Sequence, residues 1–319
     1  MELIKNIDKI RSPYKNAVIT TGNFDGVHKG HQKLLDRVKA KAVAINGTAI
    51  AITFEPHSLK VLKKDTTLNH ITPFEQKKEL LSDTNLDVLI CIPFTKEFAS
   101  ISAKDFVENI LVRQIGMKVI VVGKDYTFGK GREGDIDFLR KYGEKAGFEV
   151  IVEDWKQMDG QSKRISSTRI RRLITDGKVE EAKEMLGRHY QVRGTVLRGR
   201  DRGGKLLGFP TANINLLDEL RPKNGVYAVT VITEGTLYNG VANIGFSPTF
   251  GDHEFTVEVH ILDFNSNIYN KKIKVNFISR LRDEKKFSGI QELSDQIKAD
   301  IINAVKILNT KPKCFLGDP

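Results

Sequence analysis

A chain of 319 residues, 40% hydrophobic and 29% charged, has apolar sequence enough for two globular cores and too much for a disordered or fibrous chain. Its net charge of +11 comes from Lys and Arg interleaved with Asp and Glu, as in Lys77-Lys78-Glu79 and Arg282-Asp283-Glu284-Lys285-Lys286. That pattern argues against nucleic acid and for an enzyme of anionic substrates. Two cysteines exclude a disulfide framework, no apolar run reaches the length of a membrane span, and the opening Met1-Glu2-Leu3-Ile4-Lys5-Asn6 is not that of a signal peptide, so a cytoplasmic protein without a membrane partner is expected.

The first apolar run, Ala17-Val18-Ile19, predicts a strand, and Leu34, Leu35, Val38 and Ala42 carry the three-and-four spacing of a helix. Between them lies Gly22-Asn23-Phe24-Asp25-Gly26-Val27-His28-Lys29-Gly30-His31. Glycines let a backbone approach a ligand, and the first turn of a helix offers N–H groups to an anion. A strand-to-helix turn at the carboxyl end of a sheet is also where open α/β folds bind ligands. Two readings stand. One is an ordinary βα turn; the other is a phosphate site at which His28 and His31 add charge and donors. A metal centre is disfavoured for want of a Cys or carboxylate at ligand spacing.

Further strands are predicted over 48–54, ending in Glu55-Pro56-His57, and over 88–92, 118–123 and 149–152. The run at 118–123 does not alternate, as expected of a strand buried on both faces. One helix between them starts at Pro73 and runs through Phe74, Lys77, Leu80 and Leu81. Another is capped by Ser102 and bears Phe106, Val107, Ile110 and Leu111, and a third is marked by Phe138, Leu139 and Tyr142. Alternating strands and helices predict a parallel, Rossmann-like α/β sheet.

Two loops of this half carry polar residues that a core does not ask for. Gly123-Lys124-Asp125-Tyr126-Thr127-Phe128-Gly129-Lys130-Gly131 is either a plain loop or a holder of a flat aromatic ligand, with Asp125 as acceptor. Arg164-Ile165-Ser166-Ser167-Thr168-Arg169-Ile170-Arg171-Arg172 sets hydroxyls among guanidinium groups at a helix start. That is either a cap or a grip on a triphosphate.

Helical segments over 171–175 and 179–186 close a first domain, placed at 1–186, and a second is placed at 187–319. From His189 the pattern turns to short strands at 191–197, 225–231, 255–261 and 273–277, which predicts a small antiparallel barrel. A last helix, with Ile290, Leu293, Ile297, Ile301 and Val305 on one face, is expected to cover it. The loop Arg198-Gly199-Arg200-Asp201-Arg202-Gly203-Gly204-Lys205 is either a hairpin tip or a cationic fold over phosphates. In Gly208-Phe209-Pro210-Thr211-Ala212-Asn213 a hydroxyl and an amide oxygen lie on one side of an extended chain, as hard ligands for Mg²⁺ beside a nucleotide phosphate. Glu258, in mid-strand between Val257 and Val259, is either a solvent-facing residue or a reactive group.

Together with Thr53-Phe54-Glu55-Pro56-His57, the Val122–Gly129 stretch and Ile165-Ser166-Ser167-Thr168-Arg169, the turn at 22–31 resembles the HxGH signature of nucleotidyltransferases. More narrowly it resembles the FMN adenylyltransferase module of the bacterial bifunctional riboflavin kinase/FAD synthetase family. The stretch from Gly208 to Asn213 resembles the Mg²⁺-binding segment of riboflavin kinases, and Glu258-Val259-His260-Ile261-Leu262-Asp263-Phe264 resembles their catalytic-glutamate strand. The pattern continues through Asn224-Gly225-Val226-Tyr227, the 240–245 run, Pro248-Thr249-Phe250 and the 281–287 run, so it covers nearly the whole chain in the family's order.

The resemblance implies phosphorylation of riboflavin by ATP to FMN, then adenylylation of FMN by a second ATP to FAD with release of pyrophosphate. ATP would be co-substrate, Mg²⁺ the cofactor, and FMN and FAD the products. In the kinase it casts Glu258 as the base, Thr211 and Asn213 as Mg²⁺ ligands, and Gly199, Arg202, Lys205, Gly208, Pro210, Tyr227, Asn243 and Arg282 as nucleotide- or flavin-binding residues. In the adenylyltransferase it casts His28 and His31 as catalytic, and Gly22, Phe24, Asp25, Gly30, Arg164, Ser167, Thr168 and Arg169 around ATP. His57, Asp125, Tyr126 and Phe128 would line the flavin pocket. Ser58 stands where the family often has a second proline, and Asp125 where some members have Asn; neither change removes a reactive group. The alternative is an adenylyltransferase whose β-domain binds flavin without catalysis, and self-association is left open.

Overall fold

The apolar runs of the first half pair in parallel as β1 (Glu2–Ile4), β2 (Ala17–Thr21), β3 (Ala49–Glu55), β4 (Val88–Pro93), β5 (Met117–Gly123) and β6 (Glu149–Glu153). Their order in the sheet is β1-β4-β3-β2-β5-β6. Alternation divides β2 between two cores. Ala17 and Ile19 pack with Ile50, Ile52, Ile90 and Val107 on one face, and Val18 with Leu35, Val38 and Ala51 on the other. A sheet covered on both faces has no need of polar alternation, which is why these runs read as unbroken hydrophobe. The edge strand β1 goes unread in the sequence because three residues are too few to show a period.

The layers on the sheet are α1 (Lys29–Ala44), α2 (Ser58–Leu62), α3 (Phe74–Ser82), α4 (Lys96–Ala99), α5 (Ala103–Asp105) and α6 (Ile136–Ala146). The helix expected after Ser102 is present, capped by that hydroxyl on the Asp105 N–H, but it runs on from α5 as a π-helix over Phe106–Gln114. The chain places β3 and β4 on one side of β2, then crosses to β5 and β6 on the other. The order therefore reverses between β2 and β5, and their carboxyl ends flank the crevice in which such sheets hold ligands.

In the second half α7 (Ser167–Thr175) and α8 (Val179–Leu186) precede a barrel of β7 (Tyr190–Leu197), β8 (Ala212–Asn215), β9 (Gly225–Thr233), β10 (Thr236–Phe246), β11 (Phe255–Ile261) and β12 (Lys272–Arg282). It closes in the order β10-β11-β8-β7-β12-β9, antiparallel throughout. Inward positions carry Tyr190, Val192, Tyr227, Val229, Ala242, Val259, Val275 and Phe277, all buried. At the β9–β10 hairpin Glu234 and Gly235 both take positive φ, 50° and 80°, the turn whose twist matches that of paired strands.

The last helix, α9 (Ile290–Thr310), lies on β9, β10 and β12 through Ala304, Leu308, Ile301 and Ile307 against Val226, Ala228, Val241 and Ile278. Its buried stripe is turned from the expected one, and Ile290 is 62% exposed. The small Ala304 lets the helix approach the sheet, and Asp300, one turn earlier on the same face, is buried as well.

The structure describes residues 1–62, 69–154, 164–197, 209–216, 219–246 and 255–310. By its internal contacts it divides into two compact units, Met1–Ser167 and Thr168–Pro319. Gly199, Arg202, Lys205 and Gly208, expected at the kinase nucleotide, and the Pro248-Thr249-Phe250 motif lie outside the described residues. Among the described residues no helix is long and apolar enough to cross a membrane.

Candidate functional site

In the first unit β2 runs into the turn at 22–28, which leads directly into α1. His28 is the cap of that helix, its Nδ1 accepting the His31 N–H at 3.3 Å. A ring whose Nδ1 lone pair is used in this way carries its proton, when neutral, on Nε2, and so presents a donor there. The His28 and His31 rings stack at 3.6 Å between centroids and 15°, and Phe24 meets His31 edge-on at 5.3 Å. A Cβ on Gly30 would stand 3.1 Å from the His28 ring, so glycine lets the imidazole lie across the first turn. Gly22 has no such packing need, since a Cβ there would make only ordinary contact with Phe24 at 3.5 Å.

The turn itself is strained. Phe24, Gly26 and Val27 have φ of 48°, 85° and 37°. For the β-branched Val27 this is an outlier worth about 1–3 kcal/mol, of the kind found where a chain is held for function.

A bed of buried polar groups holds it. The Asp25 carboxylate accepts the Ile71 and Thr72 N–H groups at 3.2 and 3.1 Å, and Thr72 Oγ1 accepts the Gly26 N–H at 3.0 Å. The Asn23 carbonyl accepts from Thr53 Oγ1 and from Lys77 Nζ, each at 3.3 Å. The Asn23 side chain donates to Ser58 Oγ at 2.9 Å, so the serine found in place of proline ties the β3–α2 turn to the β2–α1 turn. Ser167 Oγ donates to the Asp25 carbonyl at 2.9 Å. Asp25, expected at ATP, thus turns its carboxylate to the backbone at 71–72.

Of the groups around the turn, His70 and Thr72 carry no sequence signal, Thr53 stands in the sequence only as part of the 53–57 motif, and Lys77 only as one residue of a helix. Lys77 is 3% exposed although its neighbours make it look like a solvated cation, and burial lowers its pKa. The signal was its spacing, which puts it on the same helical face as Phe74, Leu80 and Leu81. His57 is buried with its Nδ1 accepting the Leu59 N–H, and its ring lies 5.9 Å from that of His70, whose pKa burial also lowers.

Across the crevice β5 runs into Asp125, Tyr126 and Phe128. The Tyr126 hydroxyl is bonded to Thr21 at the end of β2, and burial pushes it well above the ordinary phenol range. Its ring stacks on Phe128 at 5.4 Å, and Phe128 is itself packed against Phe106 and Phe138. Phe128 is therefore largely core. Asp125 is exposed and pairs with Arg164 at 2.5 Å, joining a residue expected at the flavin to one expected at the phosphates. Thr168 and Arg169 follow Ser167 in the first turn of α7 and belong to the second unit.

In the second unit Glu258 on β11 stands opposite Asn213 on β8 and Asn243 on β10. Residues directly opposite in antiparallel strands share a face. Ala212, Ile214, Val257 and Val259 point inward and are buried, so the carboxylate and the two amides form a row on the outer face of the barrel. Burial raises the Glu258 pKa above the usual carboxylate range. Two residues along β11, the His260 ring bonds the Pro210 carbonyl at 2.8 Å and meets Phe209 edge-on. That contact fixes the segment carrying Thr211, which is half-buried as Asn213 is. Among the described residues no group of His, Cys, Asp and Glu could hold a metal ion alone.

Two other expected kinase residues are placed apart from this row. Tyr227 is wholly buried inside the barrel, its hydroxyl donating to the Lys223 carbonyl and its ring against Phe277. Arg282 forks onto Asp300 of α9 at 2.7 and 3.0 Å.

The family model for FAD synthetase matches residues 10–169, and that for riboflavin kinase residues 186–308. The bifunctional riboflavin kinase/FMN adenylyltransferase of Buchnera aphidicola subsp. Acyrthosiphon pisum is 36% identical over 97% of this chain and 99% of its own. The enzyme of the same description from Escherichia coli K12 is 35% identical over 98% of this chain and 100% of its own. A crystal structure from Streptococcus pneumoniae, described as a macrolide-efflux protein, superposes with a TM-score of 0.85 at 34% identity, covering 95% of this chain and 98% of that one. Two units, one a parallel sheet with a histidine-capped turn and one a closed barrel with an exterior glutamate, thus match two enzyme families in order over almost their full length. The chain belongs to the bifunctional riboflavin kinase/FMN adenylyltransferase family.

Proposed function

We propose that the kinase step is carried by Glu258 with Asn213 and Thr211, and the adenylyl transfer by His28 and His31 with the turn at 22–30. The observation that carries the kinase reading is the rung on which Glu258 faces Asn213. Glu258 takes the proton of the ribityl hydroxyl as its oxygen attacks the γ-phosphorus of ATP; the bond to ADP breaks and FMN is released. General-base help of this kind is worth about 10²–10⁴-fold. A hydroxyl and an amide oxygen suit Mg²⁺, which prefers hard ligands and shares them with substrate phosphates; bound by Thr211 and Asn213 it would offset phosphate charge. Asn243 completes the row of Glu258 and Asn213 and Pro210 lies beside it, while Tyr227 and Arg282 support it through the barrel core and α9.

In adenylyl transfer an FMN phosphate oxygen attacks the α-phosphorus of ATP and pyrophosphate leaves. The nucleophile is already an anion, so the site needs charge stabilisation rather than a base. His28, with its donor on Nε2, and the stacked His31 provide it at a helix N-terminus. Gly22, Phe24 and Gly30 bring backbone close to the phosphates, Asp25 holds the turn, and Arg164 and Ser167 grip the triphosphate. Tyr126 and Asp125 meet the flavin, with Phe128 and His57 behind them. A cytoplasmic setting suits a consumer of ATP whose Cys91 is a buried thiol with its pKa pushed up to about 11.

One paired experiment tests the assignment. His31→Ala should convert riboflavin to FMN and make little FAD. Glu258→Gln should make little FMN yet convert supplied FMN to FAD. Loss of both conversions in both folded variants would overturn the division of labour.

A further inference from the structure

Among the described residues of the first unit, Lys77 is a buried cation with no part in either proposed step. Its side chain is 4% exposed, and its nearest carboxylate, that of Glu55, lies 3.8 Å away and is 35% exposed. Burying an ammonium is costly even when it is paired, and a loosely paired one is rarer still. Its hydrogen bond goes to the carbonyl of Asn23, inside the strained turn, where Thr53 Oγ1 donates to the same oxygen.

That bond has a directional consequence. The Asn23–Phe24 peptide is trans, and in a trans peptide the carbonyl and the following N–H point in opposite directions. Two donors drawing the Asn23 oxygen inward therefore turn the Phe24 N–H outward, away from the buried bed. The rest of the bed acts in the same sense, because Asp25 is held on the 71–72 backbone and Gly26 on Thr72. Residues 70–77 form the back of the turn, and Lys77 is its one ammonium.

We propose that Lys77 is a positioning residue for adenylyl transfer: by holding the Asn23 carbonyl it aims the Phe24 N–H at the phosphate chain of ATP. The inference rests on the reading that the turn at 22–31 binds those phosphates. Lys77 does not touch the nucleotide; it acts through one peptide plane.

Binding of inorganic pyrophosphate and of FMN to the full-length protein, measured by calorimetry, tests this. Lys77→Met, which keeps the length and apolar stem, should weaken pyrophosphate binding roughly 10- to 100-fold, the range of one hydrogen bond to a charged group. FMN binding and riboflavin phosphorylation should stay within about two-fold of wild type, and Lys77→Arg should recover most of the pyrophosphate affinity. Unchanged pyrophosphate binding in Lys77→Met, or equal loss of pyrophosphate and FMN, would overturn the proposal. Should that variant not fold, Thr53→Val removes the second donor: a smaller loss confined to pyrophosphate supports the proposal, and no loss or an equal loss overturns it. His31→Ala separates the two levels. If it leaves pyrophosphate binding intact, the phosphate-site reading fails; if it weakens binding while Lys77→Met does not, only the role of Lys77 fails.

Discussion

Glu258 and Asn213 stand opposite each other on adjacent antiparallel strands, and so share one outward face of the barrel. In the proposed kinase step the pairing sets the general base beside an amide offered to Mg²⁺. Asn213→Ala should therefore raise the Mg²⁺ concentration needed for riboflavin phosphorylation by about 10-fold or more, with part of the rate recovered at high Mg²⁺. Conversion of supplied FMN to FAD should be unchanged. A Mg²⁺ titration of FMN formation checks it, and an unaltered midpoint would remove Asn213 from the ligand set.

The same site predicts a pH profile. Burial raises the Glu258 carboxyl above its usual value, which disfavours the ionised form that a base requires. Kinase activity should thus rise with pH through the raised pKa, and the acid limb of kcat/KM should lie above the ordinary glutamate value of about 4.3. Glu258→Gln should leave a low, flat profile over that limb. A limb at or below the ordinary value in the wild-type enzyme would count against Glu258 as the base.

His28 does two things that substitution can separate. Its Nδ1 caps α1, and its ring stacks on His31. Asn can accept the same backbone N–H but has no ring. His28→Ala should lose about 1 kcal/mol of stability through the cap, while His28→Asn keeps most of it. Both should lose adenylyl transfer by about 10²–10³-fold. Thermal melts of the first unit beside FAD formation from supplied FMN decide it; full activity in His28→Asn would make the histidine a cap and nothing more.

What the sequence revealed and hid follows from physical range. The inner strands of the sheet are legible because burial on both faces writes an unbroken apolar run, and the turn because glycines and histidines cluster within ten residues of chain. Glu258 and Asn213 could be named, but their meeting depends on a strand register that no local pattern encodes. Lys77 stayed hidden for the opposite reason. Its type announces a surface, and only its place on the face of Phe74 and Leu81 gives the burial away. The turned face of α9 belongs with these, since Ile290 and Val305 obey the helical period yet Ala304 and Asp300 meet the barrel.

Asp300 supplies the last prediction. Arg282 Nε lies 3.0 Å from both of its oxygens, Nη2 lies 2.7 Å from Oδ2, and Gln296 donates to Oδ1 at 3.0 Å. Asp300 is 4% exposed, so this forked pair pins α9 to the end of β12 with little help or screening from water. The resemblance casts Arg282 as a ligand-binding residue, whereas its guanidinium is committed to a helix. Removing one partner of such a pair leaves the other poorly solvated, and Asp300→Ala should cost roughly 3 kcal/mol in the second unit. Arg282→Lys keeps the charge but loses the fork, and should fall between that variant and the wild type. In both, the melting of the second unit should drop together with FMN formation, while adenylylation of supplied FMN persists below that transition. If Arg282→Lys instead raised the KM for ATP or riboflavin with no change in melting, the arginine would be meeting a substrate, and the clamp would be a resting contact that the ligand displaces.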